Sequence, residues 1–230
     1  VSTYTVNITQ SRINNIASTA PAISSGFLSG TATINITNND VQTQTIGRDG
    51  IDLEISQNGR ANVLANRVGK SRPTATGTTV ESGIVVSAGT SGSSVQSNVQ
   101  IARNVVYNFA YGISLISGGS ASALITNNTV SNADNGIYVV GAGLTTRTFN
   151  NLVDRVRQCG LRVTTSATPG FSAGSNMYSR TPTAYCPGVA ASTGDVIGDA
   201  EFIGGTDFRT RIGSLNVNSG NNAEQPQVFF

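Results

Sequence analysis

The chain has 230 residues, enough for one large domain with a sizeable core or for two small ones. Only 11% of them are charged, against a usual ~25%, and Asn, Ser, Thr and Gly fill the polar positions, which favours strands and tight turns. A net charge of +2 makes no electrostatic case for nucleic acid or an anionic membrane, and the lack of any His excludes His-based acid–base, nucleophilic and metal chemistry.

No apolar run approaches the ~20 residues of a membrane span, and no long amphipathic helical stretch is present. The first strand-like phrase is "VNITQSRI" (6–13), which returns as "INITNNDV" (34–41), "ALITNNTV" (123–130) and "TRTFNNLV" (146–153). Aligned on the second Asn, the column reads Ser11, Asn39, Asn66, Asn104, Asn128, Asn151 and Asn176. Three residues earlier lie Ile8, Ile36, Val63, Ile101, Ile125 and Thr148; two residues later lie Ile13, Val41, Val68, Val106, Val130, Val153 and Tyr178. A second phrase interleaves with the first: "GIDL" (50–53), "GIVV" (83–86), "GISL" (112–115), "GIYV" (136–139) and "GLRV" (160–163). Weaker flanking copies are "GFLS" (26–29) and "GVAA" (188–191).

Each unit is too short to bury a core alone, and each phrase has the two-residue period of a strand. A unit therefore holds one strand before the Asn, one after it and one at the Gly phrase. Stacked units pair equivalent strands in parallel, giving an all-β parallel β-helix with rungs ~4.8 Å apart. The expectation is about seven coils over residues 1–194 and a capping segment with tail over 195–230. Ile34 and Ile36 point inward, and the second Asn of each phrase takes the left-handed corner. Its amide bonds to the copies above and below, forming a structural ladder of Asn39, Asn66, Asn104, Asn128, Asn151 and Asn176. The ladder starts within a few residues of Val1, which leaves an open sheet edge; the expectation is a module that is part of a longer chain, or one whose edge another segment or chain covers.

The Asn column, the "GI-x-V" column and the unit length resemble the right-handed parallel β-helix proteins of the pectate-lyase-like superfamily, over roughly residues 5–190. Right-handedness is what that resemblance implies. "GDAEFIGGTDFRTRIGSLNVNSG" (198–220) looks like a closing segment of bacterial secreted members, matched at Asp199, Phe202, Asp207, Phe208, Arg209, Ser214 and Gly220. Ala200 and Leu215 stand where that segment has prolines.

The superfamily's sites usually lie on the outer face of one sheet. On the Gly-phrase sheet the outward column reads Asp52, Val85, Ser114, Tyr138, Arg162 and Ala190, with long insertions at 69–82 and 87–98. Asp52 and Glu54, two apart on one strand, face outward roughly 7 Å apart and suit an inverting glycosidase. Asp49, Asp52, Glu54 and Glu81 alternatively offer oxygen ligands to Ca²⁺, or form a solvated acidic patch with Arg48. A lyase of this superfamily needs a base beside Ca²⁺, and Arg162, four rungs from Asp52, lies about 19 Å away. Arg48, Arg67 and Lys70 are nearer in principle, but no motif places them.

Tyr111, Tyr138 and Tyr107 are candidates for stacking on sugar rings, or pack beneath a loop; Arg162 and Asp49 complete the ligand-binding candidates. Cys159 and Cys186, the only cysteines, fall near equivalent positions on neighbouring coils, where rung spacing suits a disulfide formed in an oxidising compartment, with two free buried thiols as the alternative.

The expected function is a non-catalytic secreted or cell-surface module, acting as rigid scaffold, adhesin segment or glycan-binding surface. The rival expectation is a polysaccharide lyase or glycoside hydrolase domain using residues 48–54. A third is a passenger-like segment whose neighbours carry the function. No cofactor other than Ca²⁺ enters any of these readings. The partner expected is a polysaccharide or glycan, with no nucleic acid and no membrane insertion.

Overall fold

The computed structural model describes residues 3–16, 20–28, 31–44, 47–55, 58–73, 80–89, 96–164, 167, 170–204 and 207–210. Alternating β-branched and small polar residues make strands, and the chain visits three sheets in turn. The first sheet holds the strands before the Asn position: Thr3–Thr9, Thr31–Thr37, Arg60–Leu64, Ser97–Ala102, Ala121–Thr126, Leu144–Phe149 and Phe171–Gly174. The second holds those after it: Arg12–Ile16, Asp40–Thr43, Arg67–Lys70, Val105–Tyr107, Thr129–Ser131, Leu152–Asp154, Met177–Ser179 and Val196–Ile197. The third is the Gly-phrase sheet: Ile23–Leu28, Ile51–Ile55, Ser82–Ala88, Tyr111–Ser117, Asn135–Val140 and Cys159–Val163.

All pairings within these sheets are parallel, which makes the fold the expected parallel β-helix. The third sheet has six strands, so six rungs stack through five steps and complete turns fall short of seven. At the next position only a bridge from Leu161 to Tyr185 remains. That bridge corrects the weaker Gly copies. It makes Ala184, not Gly188, the equivalent of Gly160, and Cys186 rather than Ala190 follows Arg162 on the outward column. At the other end Ile23 pairs with Ile51, so Ala22 stands where Gly50 stands, and Gly26 is no copy of it.

The interior is a set of apolar columns. Ile36, Val63, Ile101 and Ile125 stack in register on the first sheet, Val68, Val106, Val130 and Val153 on the second, and Ile84, Ile113, Ile137 and Leu161 on the third. All are buried. At the first rung the column opens: Val6 pairs with Ile34, yet Val6 is 40% exposed and Ile34 is 1% exposed.

The Asn corner differs from the sequence expectation in one respect. The left-handed residue is the one before the ladder position: Gln10, Asn38, Ala65, Arg103, Asn127, Asn150 and Ser175, with φ between 52° and 59°. Each of the first six still donates its N–H to a carbonyl of the next coil, so the corner leaves no orphan donor. The ladder Asn itself is buried and fully bonded. Asn128, for example, donates its Nδ2 to Ile101 O (2.9 Å) and to Asn151 Oδ1 (3.0 Å). Its Oδ1 accepts from the N and Nδ2 of Asn104, both at 3.0 Å. The same set repeats from Asn66 to Asn151, and Asn39 differs only in accepting from the Ser11 N–H alone.

The Gly phrase keeps the cadence of the Asn phrase because the two interlock. A Cβ on Gly136 would lie 2.5 Å from Val153 Cγ1 and 2.5 Å from Gly160 O, and one on Gly112 would overlap Val130 in the same way. The Val two residues after each Asn thus needs a bare backbone in the coil before it.

Tyr178 and Tyr185 close the C-terminal end of the core, edge to face with centroids 5.0 Å apart, beside Ala184 and Val189. This closure falls inside the range expected to be coils, while Val196–Ile197 extends the second sheet past residue 194. Ala200 and Phe202 then pack on Leu152 and Met177, and Phe202–Gly204 pairs antiparallel with Asp207–Thr210. Ser214 and Gly220 of the closing segment lie outside the described residues.

Candidate functional site

Register confirms the outward column of the third sheet as Asp52, Val85, Ser114, Tyr138 and Arg162. Asp52 is half-buried and Glu54 exposed. Desolvation, with the neighbouring charges of Asp49 and Glu54, pushes the Asp52 carboxyl up to about 6. Burial also raises Asp49, opposed by the Ser82 N–H that its Oδ1 accepts at 2.5 Å and reinforced by Glu81. Register puts Asp52 and Arg162 four strand steps apart, so they do not form one site.

Glu81 stays near enough to act on Asp49 but is taken up inside the fold. It is fully buried, its Oε1 lies 2.5 Å from the Nζ of buried Lys70, and its Oε2 accepts from Gly47 N. Lys70 also faces the Phe109 ring at 5.6 Å. A buried carboxylate neutralised in this way pins two loops together and has little to offer a cation. Among the described residues, no three acidic, Cys or His side chains converge on a metal position. The four-ligand set Asp49, Asp52, Glu54 and Glu81 therefore does not fit Ca²⁺.

The aromatic candidates separate. Tyr107 is buried and donates its hydroxyl to Gln42 Oε1 (2.9 Å), so it packs rather than binds. Tyr111 and Tyr138 are half-buried, with centroids 5.3 Å apart and planes tilted by 33°, and the Arg162 guanidinium lies 5.3 Å from the Tyr138 ring. Tyr138 is flanked by two neighbours rather than forming a coplanar platform.

This pair belongs to a recurring diagonal. The residue before the Gly in one coil meets the residue two after the Gly in the next. Ser82 and Ser114 fill it with a 2.8 Å hydroxyl contact, Tyr111 and Tyr138 with a tilted ring contact, and Cys159 and Cys186 with a disulfide. The cysteine Cα atoms lie 5.7 Å apart, within the usual range for a disulfide. The same slot accepts a hydrogen bond, an aromatic pair or a covalent bond.

Two buried carboxylates, Asp154 and Asp134, and the half-buried Asp195 escaped the sequence reading. Asp154 accepts from Ser131 and Ser179 Oγ on the adjoining rungs and from Arg155 and Arg180. Asp134 is bound by Arg157 Nε at 2.6 Å. Asp195 ends the Asn ladder: its Oδ1 accepts from Asn176 N (2.7 Å) and its Oδ2 from the Tyr185 hydroxyl (2.7 Å). The signal for Asp154 was one column further along, at three residues past each ladder position, where Ser131 and Ser179 flank it.

An open depression of 390 Å³ lies instead on the outer face of the first sheet, between Arg60 and Arg147. Among the described residues no helix is long and apolar enough to cross a membrane. Comparison of the chain with family models, curated proteins and solved structures gave no match.

Proposed function

We propose that this chain is a rigid, non-catalytic β-helix module of a secreted or cell-surface protein, a scaffold or adhesin segment with outer faces open to glycans. A right-handed coil of the pectate-lyase-like type is the architecture we assign to it. One observation carries the reading. The reactive side chains around the third sheet fasten rungs and loops to one another: Glu81 to Lys70, Asp49 to Ser82, Tyr111 to Tyr138, Cys159 to Cys186. Groups held this way stiffen a rod and are poorly placed to meet a substrate. The disulfide supports a location outside the reducing cytosol.

A second reading, a glycoside hydrolase domain, is favoured by Asp52 alone, since a carboxyl raised to about 6 with a second carboxyl, Glu54, two residues along the strand suits an acid–base pair. One experiment separates the two. The protein is incubated with acidic and neutral polysaccharides, with and without Ca²⁺, and reducing ends and unsaturated products are followed. The scaffold reading expects no turnover in any arm; cleavage abolished by Asp52→Asn would establish the enzyme instead.

A further inference from the structure

The first sheet differs from the other two in its charges. Its seven strands read TYTVNIT, TATINIT, RANVL, SNVQIA, ASALIT, LTTRTF and FSAG, with no Asp or Glu and with Arg60 and Arg147 as their only charged residues. The second sheet carries Asp40 and Asp154, and the third Asp52 and Glu54. The 390 Å³ depression lies between the two arginines and is floored by Asn62, Gln100, Ser122 and Leu124.

Register fixes the spacing. Arg60 pairs with Asn98, Asn98 with Ser122 and Ser122 with Thr145, while Arg147 lies two residues further along that last strand. Three rungs and two residues separate the arginine Cα atoms by about 16 Å. Both arginines are exposed, and Arg147 is steadied over the Phe149 ring at 5.4 Å. Asn62 donates to Asn35 Oδ1 at 2.7 Å, in an outer amide ladder that holds the near wall in place. Between the cations lie amides and a hydroxyl suited to sugar hydroxyls, and half-buried Leu124 suited to the C–H face of a ring.

We propose that this face binds a linear acidic oligosaccharide laid along the solenoid axis, with carboxylate or sulfate groups held by Arg60 and Arg147 and neutral sugar between them. Two cations so far apart suit a polymer with widely spaced charges. A nucleic acid strand, with a charge on every nucleotide, would leave most of its phosphates over uncharged amides. The site rests on the reading of outer faces open to glycans, naming the face and the ligand class; it does not depend on the third sheet, and loss of this binding would leave the turnover test of the scaffold reading untouched.

The test is calorimetric titration of the whole chain with three probes: a hyaluronan hexasaccharide, its carboxyl-reduced neutral form, and an oligodeoxythymidine of similar length. The acidic hexasaccharide is expected to bind at low salt and weaken as salt rises, about tenfold with either Arg60→Gln or Arg147→Gln and further with both. Thermal melts of these surface variants check that the fold is kept. The neutral form is expected to bind at least tenfold more weakly. The double variant Tyr111→Ala/Tyr138→Ala is expected to bind the acidic probe unchanged. No binding of the acidic probe, equal binding of the neutral form, tighter binding of the oligodeoxythymidine, or loss of binding in the tyrosine variant rather than the arginine variants would each overturn the site.

Discussion

Two Asn ladders run along this molecule, one inside and one outside, and they do different work. The inner one, Asn39 to Asn176, is 1–2% exposed, and each amide bridges two coils and takes up a carbonyl of the coil before. The outer one, Asn7, Asn35 and Asn62, links its amides at 2.7 Å on a surface where water competes for every bond. The residue type and the amide-to-amide bond are common to both, but each inner amide also bonds a backbone carbonyl and accepts a backbone N–H. Burial sets what their loss costs: an unpaired amide inside costs its full desolvation penalty, whereas one outside is resolvated.

Substitution of Asn by Asp is the strongest way to break this contrast. Asn128→Asp keeps the shape but removes the donations to Ile101 O and Asn151 Oδ1 and sets two oxygens against each other. A loss of about 4 kcal/mol in urea unfolding is expected. Asn35→Asp should cost below about 1 kcal/mol, and equal losses would refute the distinction. The native chain uses Asp in this ladder at its last position, Asp195, where an acceptor is needed and no further Asn awaits a donor.

A titration sharpens the comparison between buried amides and half-buried charge. The folded Asp52 carboxyl, at about 6 against an ordinary 3.8, holds its proton longer than the unfolded one. Its contribution to stability is therefore present below 3.8 and is lost as pH rises through about 6. Asp52→Asn should flatten that decline and raise stability at neutral pH by about 1 kcal/mol, the half-exposed site limiting the effect. Thermal melts at pH 4 and pH 7 measure it, and an unchanged slope between them would contradict the placement.

The smallest effect concerns the corner that precedes the inner ladder. Ala65 holds φ at 56°, a left-handed conformation that strains any residue with a Cβ. Ala65→Gly should relieve the strain and raise stability by about 0.5 kcal/mol, the entropy cost of Gly offsetting part of the gain. A fall in melting temperature would show that the stacked neighbours impose no strain there.

Much of the coil was legible in the sequence because its two phrases recur with the rung. The strand before Asn39, the strand after it and the "GI-x-V" strand all stand where the periodicity put them, as does the outward column from Asp52 to Arg162. The Cys159–Cys186 bond was expected too, but through Gly188, which is no copy of Gly160; Cys186 stands two residues past Ala184 and meets Cys159 on the diagonal. The site was less legible. Glu81 reads as a calcium ligand until Lys70, eleven residues away along the chain, arrives beside it inside the fold. Arg60 and Arg147 share no phrase, and only lateral stacking of four strands brings them to one depression.

By itself, then, the sequence determined the repeat, because burying a column of side chains demands the same residue class at every rung. Tertiary stacking decided which member of each Asn pair bends and which is buried, since both have the same intrinsic preferences and only the carbonyl of the preceding coil distinguishes them. It also decided which charges are paired inside and which face outward, because pairing depends on distances in space that no spacing along the chain contains.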